Sequence, residues 1–357
     1  MRASPRARVP VGKGLLAVLL LLLMLAGPVF AKHKDDVVVM KNGDRMTGEI
    51  RRLENGLLHF KSSYMNSSVL LDWNEVAMLQ SKDSFIVKLA TGTRLTTPIE
   101  RFTDQASGQD KISLGALSKG TEVPATQVIA IQQMEESVWK QFQGNVDLGV
   151  SYTSGTDVTS LSVGAQATYQ ADKNVFSAAT SAQFSSQKDA VDTLRLTLDL
   201  QQQRFFVNRW FGVGLFDYLR SDQQDLNSRT TYGLGIGKEV VSTLNNNWQV
   251  YTGFDYSRES YFASAGTDSA KNSWEALLGM KYTTFRFETL DVSWDATVYP
   301  SLTDSPRVRF VTNGDLKIEL VKDLYWSFRV YENYDTSPPA DAAKSDFGVT
   351  SSLGYKF

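Results

Sequence analysis

The chain has 357 residues, with 37 Lys and Arg against 39 Asp and Glu, a formal net charge of −2. It contains no cysteine, which removes disulfides and a lipidated cysteine anchor from consideration. No basic excess provides an electrostatic footprint for nucleic acid, so nucleic-acid binding is not expected.

The first residues read as a targeting segment. Arg2, Arg6, Arg8 and Lys13 precede an uninterrupted apolar run from Leu15 to Leu25, and Val29-Phe30-Ala31 offers small residues for a peptidase. A helix that spans a bilayer needs ~20 apolar residues, so the run predicts a cleaved secretory signal over residues 1–31. Without the four signal cations, 33 Lys and Arg face 39 Asp and Glu, near −6.

Residues 32–138 are short β-like runs broken by turn signals, and they predict a small periplasmic β-domain of SH3-like or Sm-like type. An internal duplication is expected. Lys41–Ile50 aligns with Ala90–Ile99 at an offset of 49, and Trp73–Leu79 with Ala125–Ile131 at an offset of 52. Asn42-Gly43 predicts a hairpin with a type I′ turn, in which both central residues take φ > 0. This stretch is near neutral, with 13 Lys and Arg against 14 Asp and Glu. Contact with a periplasmic protein therefore suits it better than contact with a polyanion.

From residue 139 to residue 357 the pattern becomes longer alternating runs. Counting apolar alternation predicts about twelve strands of an antiparallel transmembrane β-barrel. Examples of expected outward faces are Leu194/Leu196/Leu198/Leu200, Phe211/Val213/Leu215, Tyr232/Leu234/Ile236 and Leu324/Trp326/Phe328/Val330. Many runs begin or end in Trp, Tyr or Phe, as in the aromatic girdles of membrane barrels. Short links such as Ala171–Asn174 alternate with longer polar ones, notably the stretches from Ser257 and from Asp335. Long outer loops and tight periplasmic turns give such barrels this rhythm. The chain closes on Phe347, Val349, Leu353, Tyr355 and Phe357, separated by small or polar residues.

That terminal run resembles the carboxy-terminal signal of bacterial outer-membrane proteins, with Leu353, Tyr355 and Phe357 as the residues that the barrel-assembly machinery would read. More broadly, Asp147–Tyr169, Asn208–Asp222 and Arg229–Val241 resemble the domain of unknown function 481 family, also called salt-induced outer membrane proteins. Val38–Met65 and Leu71–Leu79 are similar to the β-domain preceding the barrel in longer members. The resemblance implies a Gram-negative outer membrane, lipid as partner, and a role in osmotic or salt stress. It brings no catalytic motif and no cofactor.

The residues themselves argue against enzymatic chemistry. The two histidines, His33 and His59, both precede the barrel, so the barrel lacks the commonest general base. Zinc needs Cys or His ligands that are not there. The Gly233, Gly235 and Gly237 series alternates with Tyr232, Leu234 and Ile236, which reads as small residues facing a lumen. By the same parity the lumen carries Arg195, Asp199, Asp255, Glu275, Lys281, Asp291, Asp295, Lys317, Glu319 and Arg329. These charges either pair and fill the barrel or line a small-solute channel. Such a channel would be weakly cation-preferring, because residues 139–357 hold 20 Lys and Arg against 25 Asp and Glu. The first alternative, a non-enzymatic barrel serving envelope integrity or osmotic stress, is the leading expectation.

Overall fold

The computed structural model describes residues 36–356 except 63, 66–67, 105, 116–120, 135–141, 154–157, 172, 188–191, 263–269, 288–289, 305, 322–323 and 339–342. The expected signal peptide, His33, the boundary near residue 138 and Phe357 lie outside the described residues.

Nine strands build a small barrel-like sheet. They are β1 (Asp36–Met40), β2 (Arg45–Glu54), β3 (Leu57–Lys61), β4 (Val69–Asp72), β5 (Val76–Leu89), β6 (Arg94–Thr103), β7 (Asp110–Leu114), β8 (Thr121–Pro124) and β9 (Val128–Gln133). The first part of β5 pairs with β1 and with β6, while its second part pairs with β6 and β9. Strand β9 in turn pairs with β5 and with β2. Each half runs from a hairpin through two short strands and a one-turn 3-10 segment, Trp73–Glu75 or Ala125–Gln127, into a closing strand. That closing strand also reaches the second strand of the other half.

The turns repeat as well. Gly43 and Gly92 donate to the carbonyls of Met40 and Leu89, and Met40 and Leu89 bond back across the loop to Asp44 and Thr93. Gly43 and Gly92 have φ of +92° and +86°, a left-handed backbone that glycine adopts without a Cβ penalty. This is a three-residue loop closed by glycine, not the type I′ turn expected at Asn42-Gly43. Only the second residue is left-handed there. The turn with positive φ at both residues is Asn55-Gly56, between β2 and β3. One apolar core, including Val38, Ile50, Leu53, Phe60, Trp73, Phe85, Ile99 and Ile131, fills this sheet. The Trp73 indole donates to the Ala125 carbonyl across the two halves, 3.3 Å away.

The remaining twelve strands close into an antiparallel barrel. They are β10 (Phe142–Thr153), β11 (Val158–Gln170), β12 (Asn174–Gln187), β13 (Thr193–Phe205), β14 (Trp210–Ser221), β15 (Leu226–Ser242), β16 (Asn246–Tyr261), β17 (Ala270–Phe287), β18 (Leu290–Pro300), β19 (Val308–Val321), β20 (Leu324–Asp335) and β21 (Ser345–Lys356). Closure is made by β10 on β21, with Val146 opposite Tyr355 and Leu148 opposite Leu353. Strand β16 and the start of β17 extend well into the polar stretch expected to be a loop. Ser257 and Glu259 of that stretch are buried inward, so the lumen face reads as polar sequence and disguises a strand.

A third expectation is corrected at β14. Leu198 and Leu200 face outward, and their direct partners are Tyr218 and Phe216. Directly opposed residues share a face of the sheet, so Phe211, Val213 and Leu215 point inward. Phe211 and Val213 are buried and pack with Phe205. Strand β14 is apolar on both faces, and alternation alone selected the wrong one.

The outer face carries two aromatic rows. Trp248, Tyr282 and Trp294 are opposed on β16, β17 and β18 near the short-turn end. Phe216, Tyr232, Tyr256 and Trp274 are opposed across β14 to β17 toward the loop end. From Trp248 to Tyr256 the strand advances by about 27 Å at ~3.4 Å per residue, roughly 20 Å along the axis at a ~40° tilt. Val250 and Phe254, between the rows, are exposed.

Candidate functional site

Inside the barrel, glycines make room for rings. Phe211, Tyr251, Tyr325 and Tyr331 stand directly opposite Gly237, Gly279, Gly354 and Gly348. A Cβ on any of these four glycines would fall within the opposing ring. The tyrosine rings therefore lie across the neighbouring strand and narrow the lumen.

The middle of the lumen holds a cavity of about 350 Å³. Of the residues singled out by parity, Arg195, Asp199, Lys281, Asp295 and Arg329 line it. Parity missed Asp217 because of the β14 register, and it passed over Asp147, Asp315 and Arg309, which also line the cavity. Arg329 bridges Asp147 at 3.4 Å and Asp315 at 3.3 Å, and Asn313 donates to Asp295 at 2.9 Å. Asp199 and Asp217 stand directly opposite each other. Among the described residues neither has a basic partner within ion-pair distance.

At the loop end, charges from distant strands cross the lumen. The Arg307 guanidinium donates to Glu259 at 2.9 Å and to Asp335, and Arg229 donates to Glu259 at 2.7 Å. Arg309 pairs with Glu275, and Arg195 with Asp346. The Tyr261 hydroxyl completes the Glu259 shell. Arg307, Glu259, Glu275 and Asp346 are each 1% exposed or less. Asp255 is buried beside its cross-strand neighbour Glu275. Losing one partner from so dry a set leaves an uncompensated charge, which costs about 3–5 kcal/mol.

The small sheet meets the short-turn end. Its Lys88 ammonium donates to Glu239 of β15 at 2.8 Å, with both side chains buried. Asn247 donates to the same Glu239 oxygen at 3.2 Å. Arg94 stacks its guanidinium 3.8 Å from the centre of the Phe205 ring, Arg209 donates to the Ala90 carbonyl at 2.8 Å, and Leu244 packs on the core of the small sheet. Burial pushes the Lys88 ammonium down to about 8, with Glu239 opposing that fall.

Asp291, Lys317 and Glu319, also singled out by parity, lie at this end in a second cavity of about 110 Å³ shared with Glu54 and His59. Burial, reinforced by the Arg52 charge, pushes the His59 imidazole down to about 4. Burial also raises the Glu54 carboxyl, but Arg52 and Lys356 outweigh it and leave the group below its usual range. Leu353 and Tyr355 of the expected assembly signal face outward and are exposed. No cluster of three or more metal-ligating side chains occurs among the described residues.

A family model described as "Protein of unknown function, DUF481" matches residues 146–357. No curated protein matches the chain. Among solved structures, the translocator domain of autotransporter NalP from Neisseria meningitidis is 14% identical, covering 60% of this chain and 87% of that one at a TM-score of 0.36. The NanC porin is 9% identical over 60% of this chain and all of its own, at 0.38. The COG4313 outer membrane channel from Pseudomonas putida F1 is 12% identical, covering 60% of this chain and 95% of its own, at 0.36. At these scores the likenesses add nothing to the barrel described above.

Proposed function

Because the chain belongs to the DUF481 family, whose function is unknown, we propose its role from its own geometry: a non-enzymatic outer-membrane β-barrel, closed at rest, that serves envelope integrity under osmotic or salt stress. The observation that carries this reading is a closed twelve-stranded wall whose outer face is apolar between two aromatic rows while its inner face is charged. A water-soluble barrel gains nothing from exposing Leu148, Val150, Leu234, Phe254 and Leu278 together. In lipid, a closed barrel is one of the two ways to satisfy every backbone polar group. The short turns and both ends of the barrel chain share one side, which in bacterial barrels faces the periplasm. The small sheet is accordingly assigned to the periplasm and the buried charge network to the outer side. The barrel-assembly machinery is the expected partner of β21, and the stress element of the role rests on the family resemblance alone.

Depth-resolved quenching with brominated lipids tests the membrane reading. Single-Trp variants that keep Trp248 or Trp274 are expected to be quenched best by bromines near the headgroups, and a Trp placed at Phe254 by bromines deep in the chains. Equal quenching at all depths, or none, would contradict it. A second reading, a small cation-preferring channel, is favoured by the central cavity and by two carboxylates there, Asp199 and Asp217, that have no basic partner within ion-pair distance among the described residues.

A further inference from the structure

The small sheet touches the barrel on opposite sides of its mouth. On one side, Lys88 meets Glu239 on β15, Arg209 in the β13–β14 turn meets Ala90, and Leu244 in the β15–β16 turn meets the core of the sheet. On the other side, about half-way round the ring of strands, Glu54 and His59 share a cavity with Asn145, Lys317, Tyr325 and Lys356 of β10, β19, β20 and β21. The β2–β3 hairpin links the two arcs. A Cβ at its Gly56 would contact Asn245 and Leu244 at 3.6 and 4.0 Å, while Glu54 beside it faces the Lys356 charge. A segment that reaches both arcs lies across the opening.

We propose that the N-terminal sheet is a stopper for the periplasmic mouth of the barrel, latched by Lys88 on Glu239, and that the central cavity reaches water when it lifts. The proposal rests on the membrane-barrel reading and goes beyond it by naming the occupant of the mouth. The latch chemistry suits a releasable contact. The Lys88 ammonium and the Glu239 carboxylate are buried against each other, and a buried pair is close to balanced between desolvation and attraction. Altering either partner tips that balance toward separation. The loop end carries a separate set of pairs around Arg307, which has no member in common with the latch, so only the short-turn side should respond to it.

The cysteine-free sequence allows a direct test on the full chain. Ala179 lies in the cavity wall, and Ala179→Cys would report entry of a membrane-impermeant, positively charged methanethiosulfonate reagent. Heat-modifiable mobility on gels confirms that each variant is a folded barrel, which tests the membrane reading separately. Slow labelling is expected with the native latch and labelling at least about tenfold faster with Glu239→Gln or Lys88→Glu. Glu239→Gln keeps the side-chain shape, so it remains informative if Lys88→Glu does not fold. Fast labelling with the native latch, or equal rates in the folded native and Glu239→Gln chains, would overturn the proposal.

Discussion

At the residue scale, the lumen glycines carry a specific requirement. Gly354 accepts the Tyr325 ring on its direct cross-strand neighbour, whereas Gly214 faces outward with its nearest obstacle, a Leu234 methyl, 3.7 Å from an added Cβ. Overpacking a closed lumen costs ~1–3 kcal/mol. Gly354→Val is therefore expected to lower the urea stability of the folded barrel in lipid by that amount, and Gly214→Val to leave it nearly unchanged; similar losses for both would contradict the ring-in-glycine account. His59 supplies a pH signature. Its imidazole titrates near 4 in the folded chain against 6.5 unfolded, so the unfolded chain binds the extra proton between those values. Stability should therefore fall as pH drops from 6.5 toward 4, and His59→Gln should flatten that part of the profile. An unchanged slope would mean that His59 is not in the junction described. Nothing in the sequence marked His59 as more than a strand residue, because Lys356 comes to its side only through the fold.

At the scale of elements, alternation exposes what a lipid or a core selects. It finds all twelve barrel strands, because an apolar outer face imposes a period of two. It fails at β14, where Trp210, Phe216 and Tyr218 on one face compete with Phe211, Val213 and Leu215 on the other. It also fails where a strand passes beyond the lipid, as at Ser257–Tyr261, because both faces are then polar. The repeated Gly43 and Gly92 turns were readable as an offset of 49, since a left-handed glycine leaves a mark in the sequence. Strand β21 closes the barrel with Leu353 and Tyr355 outward. Tyr355→Asp and deletion of Phe357 are both expected to reduce assembly in membranes far more than Lys356→Gln, read as loss of heat-modifiable mobility. Normal assembly of both would remove the terminal strand from its proposed role.

For the whole molecule, the decisive feature is how the lumen ends. Arg229, Glu259, Arg307 and Asp335 are far apart in sequence, and no spacing rule links them. Only the barrel brings them together, so charge parity alone left an open channel and a filled barrel equally legible. Charge pairs meet at the loop end and the small sheet contacts the short-turn end, with a cavity in the lumen between them. Planar-bilayer recording of the purified full chain tests this most directly. The native protein is expected to be electrically silent, and steady currents should require opening both ends, as in Arg307→Ala combined with Glu239→Gln. Those currents should lose cation preference when Asp199→Lys is added. Steady, long-lived single-channel currents from the native chain would contradict a barrel closed at rest.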